Sequence, residues 1–228
     1  MAQGSREEIQ DNLTQIHTRI ERAAHRSGRD PAEITLVAVA KTVPTTAVRW
    51  VVDAGVTDVG ENYVQDLRVK APAVPTARWH FIGLLQTNSA HHVAAHADVV
   101  QSLAGGRATE RLARRAATAG HTVDALIEVD LTSERAGVDP GDVPALADRI
   151  AGMEGLRLRG LMTIPAMPLG PEDARPSFVR LRELRDRVRE KHPDVLALSM
   201  GMSLDYEVAV EEGATMVRIG TALFGPRK

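Results

Sequence analysis

About eight apolar, β-branched runs recur along this 228-residue chain, and all but the last are followed by a helical pattern. The runs are Ile34 to Pro44, Val56 to Asn62, Arg78 to Gly83, Asp98 to Leu103, Thr122 to Leu131, Leu156 to Ile164, Val195 to Gly201 and Met216 to Leu223. Between them, helices are expected from a cap at Thr45 or Thr46 through Val51 to an end at Ala54-Gly55, then over Tyr63 to Lys70, Asn88 to Ala95, Gly106 to Ala119, Asp142 to Ala151, Glu172 to His192 and Asp205 to Glu212. Strict strand–helix alternation with short connections implies a parallel sheet. Eight such units in a chain of this length fit a closed (β/α)8 TIM barrel better than an open doubly wound sheet. An amphipathic helix from Ser5 to His25 carries Ile9, Leu13, Ile16 and Ile20 at spacings of three and four, with Ser5 as N-cap and Glu8 three residues on. It would supply the helix that the last strand lacks. No linker or composition shift interrupts the chain, so residues 1–228 are expected to form a single α/β domain.

Aromatic residues make up only 3% of the chain, so the core must rest on aliphatic side chains, as suits a parallel sheet sheathed by Ala-rich helices. The same scarcity removes the stacking platforms that single-stranded nucleic acids need. A formal charge of -2 gives no electrostatic footprint for nucleic acid or an anionic membrane. There are no cysteines, which excludes disulfides, thiolate metal sites and Cys nucleophiles. The polar N-terminus and the lack of any bilayer-length apolar run lead to the expectation of a cytoplasmic protein without signal peptide or membrane span.

The first run ends on Lys41, then Thr-Val-Pro44. An ammonium inside a buried strand costs several kcal/mol unless paired. At a strand end it can reach a partly desolvated cleft and serve as a nucleophile toward carbonyls. Snorkelling into water is the plain alternative. In a barrel, active sites lie at the C-terminal strand ends. Those ends here are Lys41, Glu61-Asn62, His80 with Gly83, Met162-Thr163, Ser199-Met-Gly-Met-Ser203 and Arg218-Ile-Gly220-Thr221. Barrels commonly hold phosphate after strands seven and eight. There, Met200-Gly201-Met202-Ser203 precedes a helix start, while Gly220 and Thr221 add an amide and a hydroxyl. Tight turns alone would also account for the glycines. No Gly-rich loop of either nucleotide-binding pattern is present. An amine beside a phosphate site is compatible with an aldolase acting on a sugar phosphate. It is equally compatible with pyridoxal 5′-phosphate (PLP), whose pyridine nitrogen Arg218 could face.

Seven segments carry a family resemblance: Val37-Ala-Val-Ala-Lys41-Thr, Val59-Gly-Glu-Asn62-Tyr-Val-Gln65, Trp79-His-Phe-Ile-Gly83, Leu85-Gln-Thr-Asn88, Arg159-Gly-Leu-Met162, Leu198-Ser-Met-Gly-Met-Ser203 and Met216-Val-Arg-Ile-Gly-Thr-Ala-Leu-Phe-Gly225. With them, nearly the whole chain resembles the YggS/PROSC family of pyridoxal phosphate homeostasis proteins, which look like the alanine racemase barrel domain standing alone. The resemblance implies a Schiff base with PLP on Lys41, Arg218 at the pyridine nitrogen, and Ser203, Gly220 and Thr221 on the phosphate, with Asn62, His80 and Met162 lining the ring. The expected cofactor-binding set is Lys41, Asn62, His80, Met162, Ser199, Met200, Gly201, Ser203, Arg218, Gly220 and Thr221, with no metal ligand and no catalytic residue. The chain departs from the family at Ser89, where a Lys is usual, at Leu204-Asp205, where Asp-Asp is usual, and at Arg135, where a Lys is common. The missing lysine bears on any secondary cofactor handling by that loop.

The resemblance implies a monomeric carrier that buffers PLP or supplies it to apo-enzymes. An arginine at the pyridine nitrogen makes the ring a poor electron sink. The alternative is a PLP-dependent amino-acid racemase. That chemistry needs a second base, which in alanine racemase is a tyrosine of another domain. The tyrosines here, Tyr63 and Tyr206, fall at expected helix starts, where packing or capping would occupy them.

Overall fold

The computed structural model describes residues 4–132, 136–167 and 169–226. Eight strands close into a barrel in sequence order, each parallel to its neighbours, with β8 pairing back onto β1. The strands are β1 (Thr35–Val39), β2 (Asp58–Glu61), β3 (Arg78–Phe81), β4 (Val99–Leu103), β5 (Val123–Glu128), β6 (Leu156–Met162), β7 (Ala197–Ser199) and β8 (Met216–Ile219). The helices are α1 (Arg6–Arg26), α2 (Thr45–Asp53), α3 (Val64–Ala73), α4 (Ala90–His96), α5 (Gly106–Thr118), α6 (Val143–Ala151), α7 (Arg175–Arg189), α8 (Tyr206–Glu211) and α9 (Thr221–Phe224). The TIM-barrel expectation therefore holds.

Strand side chains alternate between two environments, as the pleat requires. One set, including Leu36, Ala38, Trp79, Phe81, Val100, Ile127, Leu161, Leu198 and Val217, packs outward against the helices in a continuous aliphatic core. The other set fills the barrel. There Val99, Leu126 and Met162 form a small apolar cluster with Ile164, Ala197 and Met216. The interior also buries Asp58, His80, Gln101, Ser199 and Arg218. Close strand approach at β6–β7 depends on Gly160, where a Cβ would overlap the Ala197 backbone.

α1 begins with the expected capping box, Ser5 Oγ accepting from Glu8 N at 3.2 Å and Glu8 Oε2 accepting from Ser5 N at 2.6 Å. It buries Ile9, Leu13, Ile16 and Ile20 and packs beside α2, α8 and α9, so it closes the helical ring as expected. Arg29 then ties its end to α8, donating from Nη1 to the Val210 and Ala214 carbonyls at 2.8 Å each.

Most element ends shift by a few residues from expectation, and three differences have a local cause. Pro44, with no side-chain hydrogen bond, precedes α2, and Thr45 is its first helical residue rather than its cap. The Glu172 to His192 helix divides into a 3-10 turn at Pro171–Ala174 and α7, with Pro176 in α7's first turn, where a missing N–H costs nothing. The last apolar run is strand only to Ile219; Gly220 turns the chain and Thr221–Phe224 is helix. A short apolar run does not by itself distinguish the two.

Candidate functional site at the barrel mouth

The C-terminal strand ends enclose a cavity of about 350 Å3 lined by Val39, Lys41, Asn62, Ile82, Met162, Ile164, Met202, Ser203, Leu204, Arg218, Gly220 and Thr221. Seven of the expected residues therefore meet there: Lys41, Asn62, Met162, Ser203, Arg218, Gly220 and Thr221. Its volume falls in the range of small-molecule sites, and it combines apolar walls with a few polar groups.

Lys41 is presented by a tight turn just past β1. Val43 N donates to the Ala40 carbonyl at 2.9 Å. Thr42 closes the turn at φ 64°, a left-handed conformation that is unusual for a β-branched residue. The Ala40 carbonyl also accepts from Lys70 Nζ at 2.8 Å. Lys70 is buried and reaches Glu61 Oε1 at 2.6 Å and Asp66 Oδ2 at 3.2 Å. The second Glu61 oxygen accepts from Asn62 N at 2.7 Å. One buried ion pair thus holds both Lys41's turn and Asn62. Burial drives the Glu61 carboxyl above the usual carboxylate range, against the opposing pull of Lys70. The Lys41 ammonium itself lies 5.2 Å from the centroid of the Tyr63 ring, a cation–π distance.

The opposite wall comes from the last two strands. Gly201, at φ 90°, lets the chain turn beneath α8, and its carbonyl accepts from Arg218 N at 2.9 Å. Asp205 Oδ1 accepts from Met202 N at 2.6 Å, which fixes the Met202–Asp205 loop. Ser203 Oγ accepts from Ala222 N at 3.1 Å, joining that loop to the first turn of α9. Arg218 is buried, donating from Nη1 to Ser199 Oγ at 2.6 Å and from Nη2 to the Thr163 carbonyl at 2.9 Å. Burial lowers its pKa to about 10, with Glu128 and Asp205 pulling the other way, so the guanidinium is a cation at neutral pH.

Four expected residues do not line the cavity. His80 and Ser199 are fully buried inside the barrel, below the mouth. Side chains recur inward every second residue, so His80 and Ile82 share a face at different depths, and Ile82 is the one at the cavity. Met200 points into the outer core, and Gly201 acts through its backbone. Sequence reading missed Val39, Ile82, Ile164, Met202 and Leu204 as wall residues. It also missed Lys70, whose role needs the Glu61 pairing to be seen. Of the tyrosines, Tyr63 lies at the mouth, 45% exposed, while Tyr206 is buried under α1. Arg135 lies outside the described residues.

A closed parallel barrel with an amine, a guanidinium and a hydroxyl–amide wall at its mouth defines a class: the alanine racemase N-terminal-domain barrel, whose family model ("Alanine racemase, N-terminal domain") matches residues 10–228. A pyridoxal phosphate homeostasis protein of Aquifex aeolicus is 40% identical over 223 residues, 96% of this chain and 98% of its own length. PipY of Synechococcus elongatus PCC7942, solved with PLP bound, is 34% identical with a TM-score of 0.81, covering 91% of this chain and all of that one. A solved protein of Bifidobacterium adolescentis superposes with a TM-score of 0.89 at 31% identity, over 96% of this chain and 95% of its own. The chain belongs to the family of pyridoxal phosphate homeostasis proteins.

Proposed function

We propose that this chain binds pyridoxal 5′-phosphate as a Schiff base on Lys41 and buffers it, or hands it to apo-enzymes, as a cytoplasmic monomer. The observation that carries the reading is that one cavity brings together Lys41, Arg218 and the Ser203, Gly220 and Thr221 wall. These groups fit the cofactor's parts. The amine suits the aldehyde, the guanidinium suits the pyridine nitrogen, and the hydroxyl and backbone wall suits the phosphate. Met162, Ile82 and Ile164 offer apolar surface to the ring. Bound PLP supplies an electrophilic aldehyde conjugated to a ring that can draw electrons. A guanidinium facing the ring nitrogen leaves that nitrogen without a proton and weakens the draw, which favours holding over turnover.

The test is an absorbance titration of the purified chain with PLP, set beside Lys41→Ala. The reading expects a protonated-imine band in the wild type that the variant lacks. Equal bands in both would overturn it. The racemase alternative needs a second base, and the nearest tyrosine, Tyr63, meets Lys41 by its ring face at 5.2 Å and does not line the cavity. A D/L interconversion assay of the holo-protein on alanine separates the two readings, because a carrier gives no turnover above free PLP.

A further inference from the structure

Below the mouth, five buried polar side chains from five strands form an unbroken chain across the barrel. Arg218 Nη1 donates to Ser199 Oγ at 2.6 Å, and Ser199 Oγ donates to Gln101 Oε1 at 2.6 Å. Gln101 Nε2 donates to His80 Nδ1 at 2.7 Å, and His80 Nε2 donates to Asp58 Oδ1 at 2.8 Å. None of the five is more than 6% exposed. Each direction follows from the one before. A guanidinium has only donors, so the serine oxygen accepts from it and the serine hydrogen is left for the glutamine oxygen. The amide's other end is then a donor, so Nδ1 of the imidazole accepts and the ring proton sits on Nε2, facing the carboxylate.

A cation thus terminates the chain at the mouth and an anion terminates it near the opposite end. Hydrogen bonds aligned in one sense polarise one another in a low-dielectric interior. Thr57 Oγ1 adds a 2.6 Å hydrogen bond to the other Asp58 oxygen. Burial works against ionisation of Asp58, but the bonds from His80 and Thr57 and the charge of Arg78 outweigh it, and its pKa lies below the usual value. Burying this many polar groups is costly unless all are satisfied, and well-packed apolar residues can often replace buried charges without loss. The other side of the same interior is filled that way, by Val99, Leu126 and Met162. Packing alone therefore gives no reason for the polar side, whereas a fixed guanidinium does.

We propose that Ser199, Gln101, His80 and Asp58 are positioning residues for the cofactor ring: they lock the Arg218 guanidinium in one orientation and keep it a donor toward the ring nitrogen. This rests on the PLP reading above. It gives His80 a part in the site without contact with the ring.

The experiment compares wild type, Ser199→Ala, Ser199→Thr and Gln101→Leu, each loaded with PLP, by absorbance against pH and by mapping the borohydride-reduced peptide. Ser199→Ala and Gln101→Leu should keep the adduct on Lys41 but shift the pH midpoint of the bound spectrum by about one unit. Ser199→Thr, which keeps a hydroxyl, should recover most of the wild-type profile. Wild-type midpoints in both Ser199→Ala and Gln101→Leu would overturn the proposal. A second arm needs no cofactor and so separates this proposal from the PLP reading: 15N NMR of the His80 imidazole in the apo-protein. A proton on Nε2 that loses its preference in Gln101→Leu supports the chain, and a wild-type proton on Nδ1 overturns it.

Discussion

Replacing Lys70 with Met should be among the most destabilising single changes near the site, and the structure says why. Lys70 Nζ contacts the Ala40 carbonyl, Glu61 and Asp66, and the Glu61 side chain on the other side of the pair is wholly buried. Methionine fills a similar volume but leaves the Glu61 carboxylate with a backbone N–H as its remaining partner. Breaking a buried ion pair from one side typically costs ~3–5 kcal/mol. For a chain of this size that corresponds to roughly 6–20 °C in melting temperature. The loss should also depend on pH. In the wild type Glu61 already titrates above its ordinary value. A raised carboxyl pKa means the folded state binds the proton more tightly than the unfolded state. The stability this brings is present below the unfolded pKa and fades as pH rises through the folded one. Without Lys70 the folded pKa rises further, so the deficit of Lys70→Met relative to wild type should be largest near neutrality and shrink toward pH 5. The assay is urea unfolding of both proteins at several pH values. The double variant Lys70→Met/Glu61→Gln, which removes the stranded charge, should recover part of the loss. A deficit under ~1 kcal/mol, or one that does not vary with pH, would refute the claim that the pair is buried and coupled.

Other outcomes follow from the same structure. Thr42→Asn should stabilise the chain by about 0.5–1 kcal/mol in thermal unfolding, because asparagine tolerates the left-handed region that Thr42 occupies at φ 64°. Gly83→Ala should weaken PLP binding in the absorbance titration and lower the melting temperature, since its Cβ would overlap the carbonyl oxygen of Asn62. Arg29→Ala strips two buried-side carbonyls of a charged donor and should cost ~2–3 kcal/mol in denaturant unfolding. Asp148→Ala, by contrast, removes an exposed carboxylate from exposed Lys191 and half-buried His192, and should leave the unfolding midpoint nearly unchanged.

The barrel was legible because its strands are apolar runs that alternate with helical stretches, so the order of elements, and the type of all but the short α9, could be read from the chain. The helix that completes the ring, Arg6–Arg26, was legible down to its Ser5–Glu8 box. Depth within the barrel was not legible. His80, Ser199 and Arg218 all read as strand-end polar residues, yet Arg218 reaches the cavity while the other two sit below it. Alternation along a strand reports which face a residue is on, but not its layer. The Lys70–Glu61 pair was equally hidden, since its members lie on a helix and a strand whose packing fixes the contact. Gln101 and Asp58, each polar within or beside an apolar run, carried the same anomaly that drew attention to Lys41 and Arg218.

Only four side chains in the sequence carry a primary amine: Lys41, Lys70, Lys191 and Lys228. Lys70 is locked in its ion pair and Lys191 is on the surface, so among the described residues the mouth cavity offers one amine, that of Lys41, to an aldehyde. Borohydride reduction of the chain at equimolar PLP, followed by peptide mass mapping, should place the pyridoxyl group on the Lys41 peptide. A label on Lys191 or Lys228 instead, or one divided among the exposed amines, would contradict the account.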